Sequence, residues 1–167
     1  MLLLDALRYK AWADRRTVDA AAEIDAQSFP SAMAFARQQL NHLVRVEEIF
    51  RARLLAMEEP HSSTNSEVVP ELADLGKRLA ASNEWLQSHA RSASLAQLQE
   101  SIRFTFTDGK PGLLSREEVI FHLVNHGSYH RGAIGHALDL ADASRPADTF
   151  TVFIHSAEPH RRGPGRL

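Results

Sequence analysis

No cysteine occurs among the 167 residues, which removes disulfides, thiolate zinc sites and cysteine nucleophiles together. Any metal must then sit on His, Asp or Glu. The same absence fits a reducing compartment, and the cytoplasm is the expected location. An excess of positive charge is missing too. Nineteen Lys and Arg stand against 21 Asp and Glu, a formal net charge of -2, so no basic field exists to hold phosphate backbones and nucleic acid is not an expected partner. No stretch approaches the roughly 18 apolar residues of a membrane span, so no membrane partner is expected. Three leucines follow the first methionine, but Asp5, Arg8 and Lys10 interrupt them before an export-type apolar segment forms.

With 44% hydrophobic and 24% charged residues, the chain has an ordinary globular composition and can bury a core unaided. A metal here would be functional rather than a staple. We expect one domain over residues 1–160, followed by a disordered basic tail, 161–167.

Helical periodicity governs most of this length. Leu4, Leu7, Ala11 and Val18 recur at three- and four-residue intervals, with position 14 the missing member, and predict a helix over about 2–25, ended by Ser28-Phe29-Pro30. Ser31 is the candidate cap of a second helix reaching about Glu58, with Phe35, Val46, Ile49 and Phe50 inward, before Pro60 and HSSTNS. Pro70 opens a third, marked by Leu72, Leu75, Leu79 and Leu86 and ending near Arg91. SIRFTFTDGKPGLLS then alternates aromatic and polar residues around Asp108-Gly109, the pattern of a small hairpin or an extended loop. Ser115-Arg116-Glu117-Glu118 has the capping-box pattern and starts a fourth helix running to about Asp142. In the tail, Thr149 to Ile154 is expected as an extended piece. The fold class is therefore all-α: a four-helix bundle with a short hairpin or extended loop before its last helix and a C-terminal tail.

Three of the nine histidines stand at four-residue intervals in FHLVNHGSYHRG: His122, His126 and His130. Val119, His122, His126, Ala133, Ala137 and Leu140 follow one seam, with His130 a turn beyond His126, so periodicity puts these imidazoles on the buried side. Residues four apart rise about 6 Å and two such imidazoles can converge on one ion, as in helical HxxxH zinc pairs. His122 and His130 are about 12 Å apart along the axis, too far to share an ion with bonds of about 2.0–2.1 Å. One adjacent pair must serve, and spacing leaves open which. The further ligand has to come from another helix, where His42 lies in the stripe Phe35, His42, Val46, Ile49. A core histidine is often merely hydrogen-bonded to a neighbour. Several buried imidazoles without partners would cost on the order of 1–3 kcal/mol each, and a shared metal satisfies them together. Both readings remain open at this point.

YKAWADRR near the start, NHLVRVEEIFRARL on the second helix, TFTDG before the fourth, HLVNHGSYHRGAI on it and DTFTVFIHSAEPHRR in the tail carry a resemblance. Over about residues 1–160 the chain resembles the DinB/YfiT-like metalloenzyme superfamily. That resemblance implies a four-helix bundle with a divalent metal on three histidines, one from helix 2 and an HxxxH pair from the last helix. By motif these are His42, His126 and His130, and His122 becomes a neighbour on the same face. Members with known activity include thiol-dependent S-transferases and a mycothiol-dependent isomerase. Gly132-Ala133 stand where the family often has glycine-glutamine, so no role is carried over for that amide.

Three neutral imidazoles leave a divalent ion its full charge and at least one open position, the arrangement of catalytic zinc. Water or a thiol placed there loses its proton near neutral pH, giving hydrolysis in one case and S-transfer in the other. There is no HExxH, and Glu117 and Glu118 precede His126 by two or more turns. This favours a low-molecular-weight thiol as cosubstrate, because a thiolate attacks without a carboxylate base. The expected function is therefore a metal-dependent enzyme acting on a small molecule, an S-transferase first. The alternatives are a hydrolase and a non-catalytic metal-binding or dimerisation bundle. Zinc and nickel lead the metals, and iron and copper also suit imidazole.

Position 14 of the first stripe is Asp14, and an unpaired carboxylate there would be costly. One reading makes it the acceptor for the second N–H of a metal-bound histidine, or a polar wall of the pocket. The other is a register shift that leaves it at the rim, paired with a basic side chain in solvent. Tyr129 and Arg131 flank His130 and are placed to meet a polar or anionic substrate, though ordinary packing and a surface salt bridge are the simpler roles. Trp12, Phe35, Leu40 and Leu54 spread apolar surface around the first two helices, so a homodimer is expected unless the tail covers them.

Overall fold

Four long helices form the body of the structure, a computed structural model that describes residues 2–163. They are α1 (Leu2–Ala22), α2 (Pro30–Leu54), α3 (Leu72–Ser92) and, after a short α4 (Leu95–Gln99) and a hairpin, α5 (Arg116–Leu140). The hairpin pairs β1 (Ser101–Thr105) with β2 (Pro111–Ser115), antiparallel, with Ser101 opposite Ser115 and Thr105 opposite Pro111. Helix α6 (Phe150–Ala157) and a 3-10 turn, Pro159–Arg161, complete the described chain. Helices α1 and α2 each pack against both α3 and α5, so they lie diagonally opposite across the bundle.

Local chemistry explains most boundaries. Ser115 and Glu118 make the expected reciprocal capping box at the start of α5, and Ser94 with Gln97 makes another at α4, which periodicity misses because it is a single turn. At α2 the expected cap is corrected: Phe29 holds the N-cap position without a side-chain bond and Pro30 follows it, so Ser31 is already helical. The helix also stops at Leu54 rather than near Glu58. Ala56 turns left-handed (φ 52°) and Met57 N–H reaches back to the Ala52 carbonyl at 2.9 Å, a Schellman closure without glycine. Asp142 (φ 51°) closes α5 in the same way, with Ala143 N–H on the Leu138 carbonyl at 3.0 Å.

The tail is a second correction. Thr149 to Ile154 is not extended: Thr149 Oγ1 caps α6 through the Val152 N–H, and Phe150 and Phe153 of α6 pack against Tyr9 and Trp12 of α1. This aromatic platform supplies the burial that overrides the strand preference of Thr, Val and Ile. It also covers Trp12, while Leu40 and Leu54 lie in the core, leaving Phe35 alone of those four residues exposed. The inward assignments of Phe35 and Leu140 therefore fail. Of the expected disordered tail, Arg161 closes the 3-10 turn, residues 162–163 follow it, and 164–167 lie outside the described residues.

Two apolar clusters fill the bundle. One gathers Leu7, Phe50, Leu86, Ile120 and Leu123 beside the hairpin, and the other gathers Ile24, Leu40, Leu75, Ile134 and Leu138 at the opposite end. Between them Lys10, Asp14, Glu47, Ser82, Asn83 and Arg131 are buried together. Lys10 Nζ donates to Asp14 Oδ2 and Asn83 Oδ1, both at 2.7 Å, and sits 2.6 Å from Glu47 Oε1 in an ion pair. Arg131 Nη1 donates to Asp14 Oδ1 at 2.7 Å, and Arg131 Nε to Asp148 Oδ2 at 2.8 Å. Every long helix thus contributes to one polar layer. Removing one partner of a buried pair strands the others, at a cost of about 3–5 kcal/mol. A Lys10→Met protein should lose stability of that order in urea denaturation, and a loss below about 1 kcal/mol would contradict the burial of the layer.

Candidate metal centre

Packing of α2 against α5 brings His42 opposite His126 and His130. All three present Nε2 to one point: His42 Nε2 and His130 Nε2 each lie 3.1 Å from His126 Nε2. Nitrogens around a tetrahedral ion with bonds of about 2.0–2.1 Å would be about 3.3 Å apart, close to what is found. Hydrogen bonding alone does not account for the arrangement. A ring nitrogen carries one in-plane lone pair or one proton, so His126 Nε2 can complete only one of its two contacts. A cation at the centre engages three lone pairs at once, and the three-histidine cluster can hold a divalent ion.

The protonation states agree with ligand chemistry. Burial, then the neighbouring His130 and His42, lowers the His126 pKa to about 3; burial, then His42, lowers that of His130 to about 4. Burial also depresses His42, against opposing contacts with Thr64 and Asn65. All three imidazoles are thus neutral at pH 7, with lone pairs available. His130 Nδ1 lies 2.6 Å from Gln39 Oε1, so Nδ1 carries the proton and Nε2 is left free. Thr64 and Asn65 come from the 55–71 loop, which α2 holds down: Arg45 donates to the Ser63 carbonyl, Gln38 to Asn65 and Arg37 to the Val69 and Pro70 carbonyls. His126 Nδ1 is buried without a partner, a cost of about 1–3 kcal/mol that ligation at Nε2 can offset.

The family profile of DinB matches residues 1–163. The chain belongs to the DinB family. Searches of curated proteins and of solved structures returned no match.

Among the residues expected around a DinB metal site, the geometry separates three groups. His122 lies on the triad's face, its ring 5.3 Å from that of His126 and 5.2 Å from Phe50, outside the converging nitrogens. Tyr129 is exposed, its ring edge-on to His130 at 5.1 Å. Asp14 and Arg131 belong to the buried layer. Asp14 is 2% exposed, which excludes a place at the rim. Its oxygens accept from Lys10, Asn83 and Arg131, so it accepts no hydrogen bond from a site histidine; Gln39 Oε1 does so from His130 Nδ1. Arg131 forms no surface bridge: burial opposes its charge, but Asp14 and Asp148 outweigh burial and push its pKa up. Burial likewise opposes the charge on Asp14, yet Lys10 and Arg131 hold its pKa below the usual carboxylate range.

Gln39, Lys10, Glu47 and Asn83 were not anticipated. Gln39 precedes His42 by three residues and shares its helix face, and Lys10 stands one turn before Asp14, so the helical period held a signal for both. The histidines flank the deepest stripe of α5, which runs through Ile120, Leu123, Gly127, Arg131, Ile134 and Leu138, and are half-buried. Beside them opens a cleft of about 180 Å³ reached by His42, His122 and His126, with Phe50, Arg53 and Phe106 among its walls. Among the described residues no carboxylate lines it.

The depressed histidine pKa values have a testable consequence. In the metal-free protein His126 and His130 stay neutral to about pH 4, whereas on unfolding they return to about 6.5 and take up protons. Their contribution is complete above 6.5 and shrinks as pH falls toward 4. Urea midpoints of the metal-free protein should therefore drop between pH 7 and pH 5, and drop less in His126→Leu. Equal drops in the two proteins would show that these rings are not shifted.

Proposed function

We propose that this DinB protein is a metal-dependent enzyme in which His42, His126 and His130 hold one divalent ion that activates a low-molecular-weight thiol for S-transfer to a small molecule. The observation that carries the reading is the convergence of three neutral Nε2 atoms beside an open cleft. A divalent ion held by three imidazoles acidifies a thiol or water at its remaining position. The residues of this chain do the rest: Gln39 keeps the His130 proton on Nδ1, the loop carrying Thr64 and Asn65 backs His42, and the cleft seats the organic part of the reacting thiol. A bound ion would supply the thiolate, with the thiol proton passing to solvent, and the sulfur would displace a leaving group from the small molecule. Hydrolysis is the weaker reading, because among the described residues no carboxylate lines the cleft to take a proton from water. Zinc or nickel is the metal we favour, since imidazole nitrogen suits both, with iron or copper as alternatives. The cytoplasm remains our assignment of compartment, supported by the cysteine-free sequence.

Homodimerisation also belongs to this proposal, relocated from the surface first expected. Phe121, Tyr129 and Leu140 are exposed on the outer side of α5, with Phe35 exposed on α2, and an apolar stripe of this kind suits a second copy. A monomeric mass by light scattering at micromolar concentration would overturn the dimer.

Metal analysis tests the centre itself. The purified protein should bind about one divalent ion per chain. His126→Ala should abolish this stoichiometry, while His122→Ala should leave it nearly intact. A site that needed His122 and not His130 would overturn the ligand set, and a metal-loaded protein without thiol-dependent turnover would overturn the transferase reading.

A further inference from the structure

The walls of the cleft constrain what can enter it. Val46 and Ile49 from α2 are apolar, and Phe50 and Phe106 line one side with Phe104 packed between them. Phe50 meets Phe104 edge-on at 5.6 Å, and Phe104 meets Phe106 edge-on at 4.9 Å, so a chain of aromatic contacts runs from α2 into the hairpin. The hairpin is shaped for this. A Cβ at Gly112 of β2 would lie 2.6 Å from the Phe104 ring and 2.9 Å from that of Phe106, so only glycine there lets both rings fold across the strand. The Phe106 N–H to Lys110 carbonyl bond, 2.8 Å, and Gly109 at φ 85° close the turn behind them.

Charge is nearly absent. Among the described residues Arg53 is the one permanently charged residue in the lining, and its charge is already matched by Glu59, through Nε to Oε1 at 2.7 Å and Nη2 to Oε2 at 3.1 Å. Nη2 also donates to the Thr105 carbonyl at 2.7 Å, and the guanidinium lies over the rings of Phe50 and Phe104. Arg53 therefore ties the hairpin to α2 rather than presenting a free cation.

We propose that this cleft receives a compact, uncharged apolar group of about the size of a benzene ring, carried by the molecule that reacts at the centre. The inference rests on the metal-enzyme reading and adds the chemical class of its substrate. Size supports it: an apolar cavity of about 150 Å³ accepts benzene, and this one measures about 180 Å³. Against the aromatic wall, away from the ion, a carboxylate or phosphate would lose water and meet no unpaired cation among the described lining residues.

Cobalt(II)-loaded protein, titrated with benzyl mercaptan and with 2-mercaptoethanesulfonate and followed by its visible absorption, tests this directly. Benzyl mercaptan should bind about tenfold more tightly. Phe106→Ala, at an exposed hairpin position, should bring the two thiols near parity while leaving cobalt content and sulfonate affinity unchanged. Equal affinities in the wild type, tighter binding of the sulfonate, or an unaltered preference in Phe106→Ala would each overturn the inference while leaving the metal reading intact. A chain that takes up no cobalt overturns the metal reading instead. The cleft is then probed in the metal-free protein with toluene by NMR: shifts centred on Ile49, Phe50 and Phe106 support the apolar subsite, and unperturbed signals remove it.

Discussion

The buried ionic layer of Lys10, Asp14, Glu47 and Arg131 is the constraint on which the rest of the molecule depends. Apolar helix faces can slide past one another at modest cost, but a desolvated charge must meet its partner or the fold loses several kcal/mol. Asp14 with Arg131 locks α1 to α5, Lys10 with Glu47 locks α1 to α2, and Asn83 and Ser82 bring in α3. The balance within the layer is uneven: burial, and then the charge of Asp14, push the Glu47 carboxyl up, while Lys10 and Ser82 pull it back. The layer sets the rotation of α5 because Arg131 has to point inward. His130, its neighbour in sequence, is then turned by about 100° toward α2, and His126 stands one turn below it.

This division of labour explains the NHGSYHRG stretch residue by residue. His126 and His130 serve the converging nitrogens, and Arg131 serves the ionic layer. Gly127 leaves room for that layer, since a Cβ there would fall 2.8 Å from Arg131 Nη1. The two functions are interleaved on adjacent faces of one helix. A buried charge network beside a cation site would ordinarily depress metal binding, and the Lys10 charge does push His126 downward. Asp14 and Glu47 stand against that charge within the layer, so the triad faces a largely compensated surface.

Short-range chemistry was legible in the residues. The Ser115 cap, the turn at Asp108-Gly109 and the i, i+4 pair His126 and His130 are set by neighbours a few positions away. What was not legible depended on distant partners or on residues doing uncharacteristic work. Ala56 and Asp142 close helices in a left-handed conformation usually given to glycine, so α2 was overextended and its end obscured. A run of Thr, Phe, Val and Ile became the helix α6 because Tyr9 and Trp12 offer it an aromatic platform. Periodicity read Arg131 as surface and so placed the seam of α5 over the histidines, one notch from the true core. Asp14 leaves two readings open in the sequence, interior and rim, because Asn83 and Arg131, which hold it in the interior, lie on other helices.

We propose that His42, His126 and His130 hold one divalent ion through their Nε2 atoms. X-ray absorption spectroscopy of the zinc-loaded protein measures this most directly. The account predicts three imidazole nitrogens at about 2.0–2.1 Å with the outer-shell scattering of three rings, and a fourth position filled by solvent that gives way to sulfur at about 2.3 Å when a thiol is added. A first shell with two imidazoles or fewer, or one completed by protein carboxylates, would contradict it.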